Sequence, residues 1–339
     1  MKKTDFAYCL ETYLKIYLPG QIGLSENTIM AYRDTFIQIL YFIENVKHKN
    51  PDKMTLSDFN VDLIEEFLSW LETEKNNSIS TRNQRLAAIR AFSKYVRTKY
   101  PEFMFELQKI LDMRRKRCPK PELIHLSPEE IKSILEAVPT ITVYNRRDLT
   151  LLSLLYDSAA RVQEICDLRV VDVRVKKPYI VKLTGKGQKT RCVPLMHNTI
   201  ELLKKYIIEN NLYDNEKASY PLFSNHNGNP LTRAGVTYIL KKHYSKAKEK
   251  HPELPSKISP HIFRHSKAMH LLRANVPLTD IRDFLGHEHV DTTEIYAKTD
   301  IELSRKKLEA AQITINSDLP DWNEDKSLMA MLIGMCGKS

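Results

Sequence analysis

The feature that most limits what this chain can fold into is its shortage of glycine. Nine glycines serve 339 residues, and none falls between Gly23 and Gly185. Glycine takes left-handed turns without steric cost, so a 161-residue stretch lacking it is mostly helix with few tight turns. At ~150 residues per domain the length suggests two domains, each able to bury a core. Residues 5–112 read as an all-α domain. Leu24-Ser25-Glu26-Asn27 opens a helix carrying Met30, Phe36, Ile37, Leu40 and Ile43 at helical spacing, Val61 to Leu71 gives a second, and Ser80 to Val96 a third.

Charge narrows the class of partner. Lys and Arg number 52 against 42 Asp and Glu, a formal +10, and residues 299–339 carry −2 of that, leaving +12 on the first 298. A polyanion is a natural partner for the body of the chain, and the tail is a poor nucleic-acid contact. Five cysteines (Cys9, Cys118, Cys166, Cys192, Cys336) form no C-x-x-C pair and fit reduced thiols in a cytosol. Asp5 and Glu11 break any apolar core behind Met1-Lys2-Lys3, and no run of 18 apolar residues occurs, so nothing marks the chain for export or membrane insertion. A cytoplasmic setting is expected.

Arg114-Arg115-Lys116-Arg117-Cys118-Pro119-Lys120-Pro121 is basic and proline-bearing, and residues 113–124 are read as an exposed linker. A solvated joint and a contact along a DNA backbone both fit it. A second domain, 125–312, starts at Ser127-Pro128-Glu129-Glu130, where the N-cap and first-turn preferences are both met. Helices run to about Leu168. Three β-rich stretches follow, Val170–Val173, Tyr179–Leu183 and Arg191–Leu195, with Gly185-Lys186-Gly187-Gln188 turning between the last two. The expectation is a mainly α chain with one small three-stranded antiparallel sheet. Helices resume from Leu202, from Thr232 and from Ser259.

Several residues stand out for chemistry, each with an ordinary reading beside it. Ser259-Pro260-His261-Ile262-Phe263-Arg264 is a helix start whose His261 and Arg264 share a face near the positive end, a phosphate-binding geometry; alone they could be surface residues of an amphipathic helix. Leu278 to Leu285 reads as a short helix stopped by Gly286, placing His287 on a turn. Asp291-Thr292-Thr293-Glu294 has capping-box spacing and opens a helix bearing Tyr296, which alone could be half-buried packing. Arg161 and Glu164 follow an apolar helix and could be a plain ion pair. Lys186 sits between two glycines and could be a solvated turn lysine.

Taken in order, these elements resemble one family. Arg161 with Glu164, Gly185-Lys186-Gly187 leading to Val193-Pro194-Leu195, His261-x-x-Arg264, Leu285-Gly286-His287, and Tyr296 nine residues beyond His287 are similar to the tyrosine recombinases, the phage integrase family. The likeness spans about 155–300, while the N-terminal helices match the family's core-binding domain in size and place only. One departure is Ala159, where members commonly carry glycine two residues before the first arginine. No further arm-binding module is recognised before residue 5, a layout nearer the simple Xer-type enzymes.

The resemblance implies a fold and a reaction. The fold is an all-α core-binding domain (1–112) and a mixed α/β catalytic domain closing as a clamp around DNA. Arg161 and Arg264 would grip the non-bridging phosphate oxygens, His261 would take the proton of Tyr296 as it attacks, His287 would hydrogen-bond the phosphate, and Lys186 would protonate the leaving 5′ oxygen. A 3′-phosphotyrosyl link would conserve the bond energy, so strands exchange without ATP, metal or other cofactor. Glu164 would support the arginine. DNA contacts are expected from Asn27, Arg82, Arg85, Arg115, Lys116, Lys189, Arg191 and Arg233. The expected partner is duplex DNA with an inverted-repeat core site, bound by a homotetramer joined through an apolar tail within 313–339, with room for an accessory factor. A type IB topoisomerase and a non-catalytic DNA-binding regulator remain as alternatives. A zinc hydrolase built on His261, His265, His287 and His289 lacks an H-E-x-x-H base and would set Arg264 beside the metal.

Overall fold

The computed structural model describes residues 3–118, 123–287 and 293, with Lys186 described by its backbone alone. Tyr296, the helix expected from Asp291 and the tail 313–339 lie outside the described residues. The chain divides into two compact units, Met1–Pro121 and Glu122–Ser339.

The described residues of the first unit form helices joined by short loops, with no strand among them. Helix α1 (Asp5–Thr12) runs into a π-helical stretch, Tyr13–Gln21, and is followed by α2 (Glu26–Asn45), α3 (Val61–Thr73), α4 (Ile79–Lys99) and α5 (Met104–Asp112). Short polar side chains set the starts: Asn60 accepts from the Leu63 N–H and Ser78 from the Thr81 N–H, each satisfying a donor that a helix start leaves orphaned. The core is aromatic. Phe36 and Tyr13 approach the Phe92 ring edge-on at 4.9 and 5.1 Å between centroids, the arrangement that ring quadrupoles favour.

Two arginines of α4 expected to contact DNA turn inward. Arg82 is 8% exposed, with Nε 2.9 Å from Glu72 on α3. Arg85 donates to the Ala31 carbonyl and the Thr35 hydroxyl of α2. A helix packed between α2 and α3 needs the cations flanking its buried face to pair within the fold, so these two expected DNA contacts are engaged inside the unit. Lys116 is likewise engaged, through Nζ with Glu72 and through its backbone with both ends of the Asn83 amide.

The second unit holds α6 (Pro128–Glu136), α7 (Val143–Asp157), α8 (Val162–Asp167), strands β1 (Val173–Arg174), β2 (Ile180–Thr184) and β3 (Thr190–Pro194), then α9 (His197–Glu209), α10 (Arg233–Lys250), α11 (Pro260–Arg273) and α12 (Leu278–Leu285). The sheet is antiparallel in the order β1-β2-β3, with Val181 opposite Val193 and Leu183 opposite Arg191. The expected first strand is shortened: Val170–Asp172 is a 3₁₀ turn, because the Asp172 carboxylate bonds back to the Arg169 N–H and curls the chain. Helix α7 carries a wide apolar face, with Leu151, Leu152, Leu154 and Leu155 fully buried. His270 of α11 bridges Tyr156 of α7 and the chain ahead of α6: its Nε2–H donates to the Leu126 carbonyl at 2.8 Å, so its Nδ1 accepts from the Tyr156 hydroxyl, also at 2.8 Å. That bond pair fixes α11, and with it the end that carries His261 and Arg264.

Candidate active site

Four chain segments converge: the α7–α8 joint, the β2–β3 turn, the start of α11 and the end of α12. Helix α7 stops at Asp157, and the chain reverses through Ala159 at φ +46°, the left-handed region. The turn that commonly uses glycine is thus made by a buried alanine, at a strain of about 1 kcal/mol. Its product is an inward-facing Ala159 carbonyl that accepts from Arg264 Nη1 at 2.7 Å. Two residues on, Arg161 begins α8, and Glu164 at the third helical position accepts from its backbone N–H and its Nη1, both at 2.8 Å.

Gly286 closes α12 at φ +66° and ψ +47°, turning two carbonyls toward the same place. Leu285 O accepts from Arg264 Nη2 at 2.6 Å and Gly286 O from Arg161 Nη2 at 3.1 Å. Main-chain oxygens thus aim both guanidiniums, and the buried Glu164 carboxylate also holds Arg161. Arg264 is buried, and the Arg161 side chain keeps 36% of its surface in solvent. His287 follows Gly286, half-buried, with Nδ1 3.1 Å from the Thr293 hydroxyl.

Electrostatics follow from that crowding. Burial, then the charges of Arg264, Arg161 and Arg191, push His287 down to about 4; burial and the neighbouring His261 and Arg264 do the same to His265. His261, whose ring is exposed on the first turn of α11, is lowered by the packing around it and by Arg264 and Arg161. The shifts favour the neutral imidazole at pH 7 in all three. Burial alone would raise the Glu164 carboxyl, but Arg191 and then Arg161 hold it below the usual carboxylate range. Three arginines against one carboxylate leave a surplus of positive charge suited to a phosphodiester.

Lys186 sits at the tip of the β2–β3 turn, which is closed by the Gly185 N–H to the Lys189 carbonyl at 2.8 Å and bends through Gly187 at φ +74°. Gly185 passes so close to the site that a Cβ there would lie 3.1 Å from Glu164 Oε1 and 3.5 Å from Arg161 Nη1. The turn is thereby held against the first arginine. Among the described residues no group of three or more His, Cys, Asp or Glu is placed to hold a metal ion, and no helix is long and apolar enough to cross a membrane.

Of the expected DNA contacts, Asn27, Arg115, Lys116, Lys189 and Arg233 are exposed. Arg191 is not an outward contact. Its guanidinium donates to both Glu164 oxygens at 2.8 Å and through Nε to the Phe284 carbonyl at 3.0 Å, with the side chain only 12% exposed. The signal was in the strand alternation: Arg191 is in phase with Val193 and Leu195, the inward face, where a cation requires a partner.

Comparison with known proteins decides the family. The phage integrase family profile matches residues 125–302, and the family's N-terminal SAM-like domain matches 20–102. The chain belongs to the phage integrase family. This tyrosine recombinase is 32% identical to the putative integrase/recombinase y4rC of Sinorhizobium fredii, over 98% of both chains. It is 31% identical to the tyrosine recombinase XerD of Staphylococcus saprophyticus, over 88% of this chain and 96% of that one. In fold it resembles the XerH site-specific recombinase in its post-cleavage complex with a palindromic difH substrate: TM-score 0.66 at 24% identity, covering 90% of this chain and 83% of the other. The recombinase is accordingly an enzyme of DNA cleavage and rejoining in site-specific recombination.

Proposed function

We propose that this recombinase cleaves duplex DNA by attack of the Tyr296 hydroxyl on a phosphodiester, giving a 3′-phosphotyrosyl link and a free 5′-hydroxyl. The observation that carries the reading is the pair of guanidiniums, Arg161 and Arg264, aimed by the carbonyls of Ala159, Leu285 and Gly286. Such fixed donors stabilise the pentavalent phosphorane without reorganising as charge develops. Neutral His261 takes the tyrosine proton, His287 hydrogen-bonds a phosphate oxygen, and Lys186 gives its proton to the departing 5′ oxygen. Attack by a second 5′-hydroxyl on the tyrosyl ester reverses the bond changes and returns the tyrosine, so exchange needs no external energy. Glu164 acts through Arg161. The protein works in the cytoplasm at the nucleoid as a homotetramer on an inverted-repeat core, joined through residues 313–339, with an accessory factor where direction is controlled. Asn27, Arg115, Lys116, Lys189 and Arg233 contact the DNA.

The test starts from duplexes selected from a random pool by binding to the Tyr296→Phe chain. With labelled duplex, the wild-type chain is expected to yield a protein-linked strand on a denaturing gel and recombinant product from two sites, and Tyr296→Phe neither. Adduct with relaxation but no two-site product would favour the topoisomerase reading. Binding without adduct would favour a regulator.

A further inference from the structure

Arg161 can grip a phosphate only if it is not consumed by its own carboxylate neighbour. Glu164 is buried beside it, 4% exposed, and its two oxygens are fully used: Oε1 accepts from Arg161 Nη1 and Arg191 Nη1, Oε2 from the Arg161 backbone and Arg191 Nη2. Arg191 takes the two-point, side-by-side share that suits a guanidinium to a carboxylate, leaving Arg161 a single side-chain bond to the acid. With one more bond to Gly286, Arg161 has three of its five N–H donors without a hydrogen-bond partner among the described residues. Strand β3 brings Arg191 in from the opposite side to α8, Phe284 O fixes its Nε, and Gly286 leaves room for it: a Cβ there would lie 2.9 Å from Nη1 and 3.0 Å from Cδ.

We propose that Arg191 is a positioning residue for strand cleavage: by occupying Glu164 it keeps Arg161 free for the scissile phosphate, and it ties the end of α12 to that arginine. Without it the Glu164 carboxylate turns onto Arg161, the nearest remaining cation, and competes with DNA for the same donors. The inference rests on the reading of Arg161 as a phosphate ligand, but its first test needs no DNA.

That test is modification of Arg161 by phenylglyoxal in the full chain, followed by mass spectrometry of its peptide. A guanidinium held two-pointed by a carboxylate reacts slowly, so Arg161 in Arg191→Met is expected to react about fivefold slower than in wild type. Arg191→Met with Glu164→Gln, which removes the competing charge, is expected to return within about twofold of wild type. Unfolding would speed the reaction, the opposite sign, and Arg191→Lys, which keeps the charge and half the grip, serves as a milder folded variant expected between the two. Arg161 reacting at or above the wild-type rate in folded Arg191→Lys and Arg191→Met overturns the proposal. With the selected duplex at saturating protein, Arg191→Met is expected to form adduct about 100-fold slower at nearly unchanged affinity, and the double variant to recover about tenfold of that loss. Weakened duplex binding with an unchanged saturated rate would make Arg191 a DNA contact and overturn it. A wild-type chain that forms no adduct refutes the reading of function, while the modification rates still decide the role of Arg191.

Discussion

At the scale of single residues the site is defined by what aims the two arginines. Arg264 is held by two buried carbonyls, so Arg264→Met strands both acceptors at about 1–3 kcal/mol each and should lower the melting temperature as well as the rate. Arg161→Met, at a partly exposed residue bonded to one carbonyl, should cost far less stability; adduct formation should fall about 10²–10³-fold in both. Melting curves beside single-turnover gels check this, and equal stability losses would contradict it. Histidine protonation gives a second expectation. His265 and His287 titrate near 4 in the fold and near 6.5 when unfolded, so below pH 6.5 the unfolded chain binds protons that the folded chain refuses. Their contribution to stability is complete above about pH 7 and is lost as pH falls toward 4, about 2 kcal/mol each between pH 7 and 5. Denaturant midpoints over that window should drop, and should drop less in His265→Asn; a flat profile would refute the burial of these rings.

At the scale of elements, turns decide the geometry. Gly286→Ala places a methyl against Arg191 and demands a left-handed alanine, so it should destabilise by about 1–2 kcal/mol and reproduce the slow cleavage of Arg191→Met. Ala159 already bears that conformation: Ala159→Gly relieves about 1 kcal/mol of strain but surrenders a buried methyl worth ~0.8 kcal/mol and loosens the unfolded chain. It should be near neutral in melting and rate, whereas Ala159→Val, β-branched in a left-handed turn, should swing the carbonyl off Arg264 and cost at least about tenfold in cleavage. These same elements show what sequence can and cannot carry. The stop at Gly286 and the starts at Ser127 and Ser259 were legible because each rests on one local preference, a cap or an αL residue. Arg82 and Arg191 were not, because a cation's partner lies on another element: Glu72 on α3 in one case, Glu164 on α8 in the other. The 3₁₀ turn at Val170 was hidden by β-branched composition that a single Asp172 back-bond overrode.

At the scale of the whole molecule the net charge is positive, as suits a polyanionic substrate. The +12 on residues 1–298 predicts that the logarithm of duplex affinity falls linearly with the logarithm of salt concentration, with a slope near −0.9 per phosphate neutralised. Arg233→Ala should flatten that slope by about one phosphate and leave the saturated cleavage rate alone; a salt-independent affinity would contradict the charge argument. The helical class was readable from glycine scarcity, and ordered motifs singled out Arg161 and Arg264, which the fold brings to the same helix end. How a site is supported was not, since support is made of contacts between segments more than a hundred residues apart, such as Arg161 with Gly286 and Arg264 with Ala159.

Attack by Tyr296 on a phosphodiester held by these arginines would leave a covalent mark on the tyrosine. The most direct measurement is mass spectrometry of the nuclease-trimmed, trypsin-digested adduct formed on selected duplex. A nucleotide remnant is expected on the Tyr296 hydroxyl in the peptide that follows Arg282. A remnant on any other side chain would contradict attack by Tyr296.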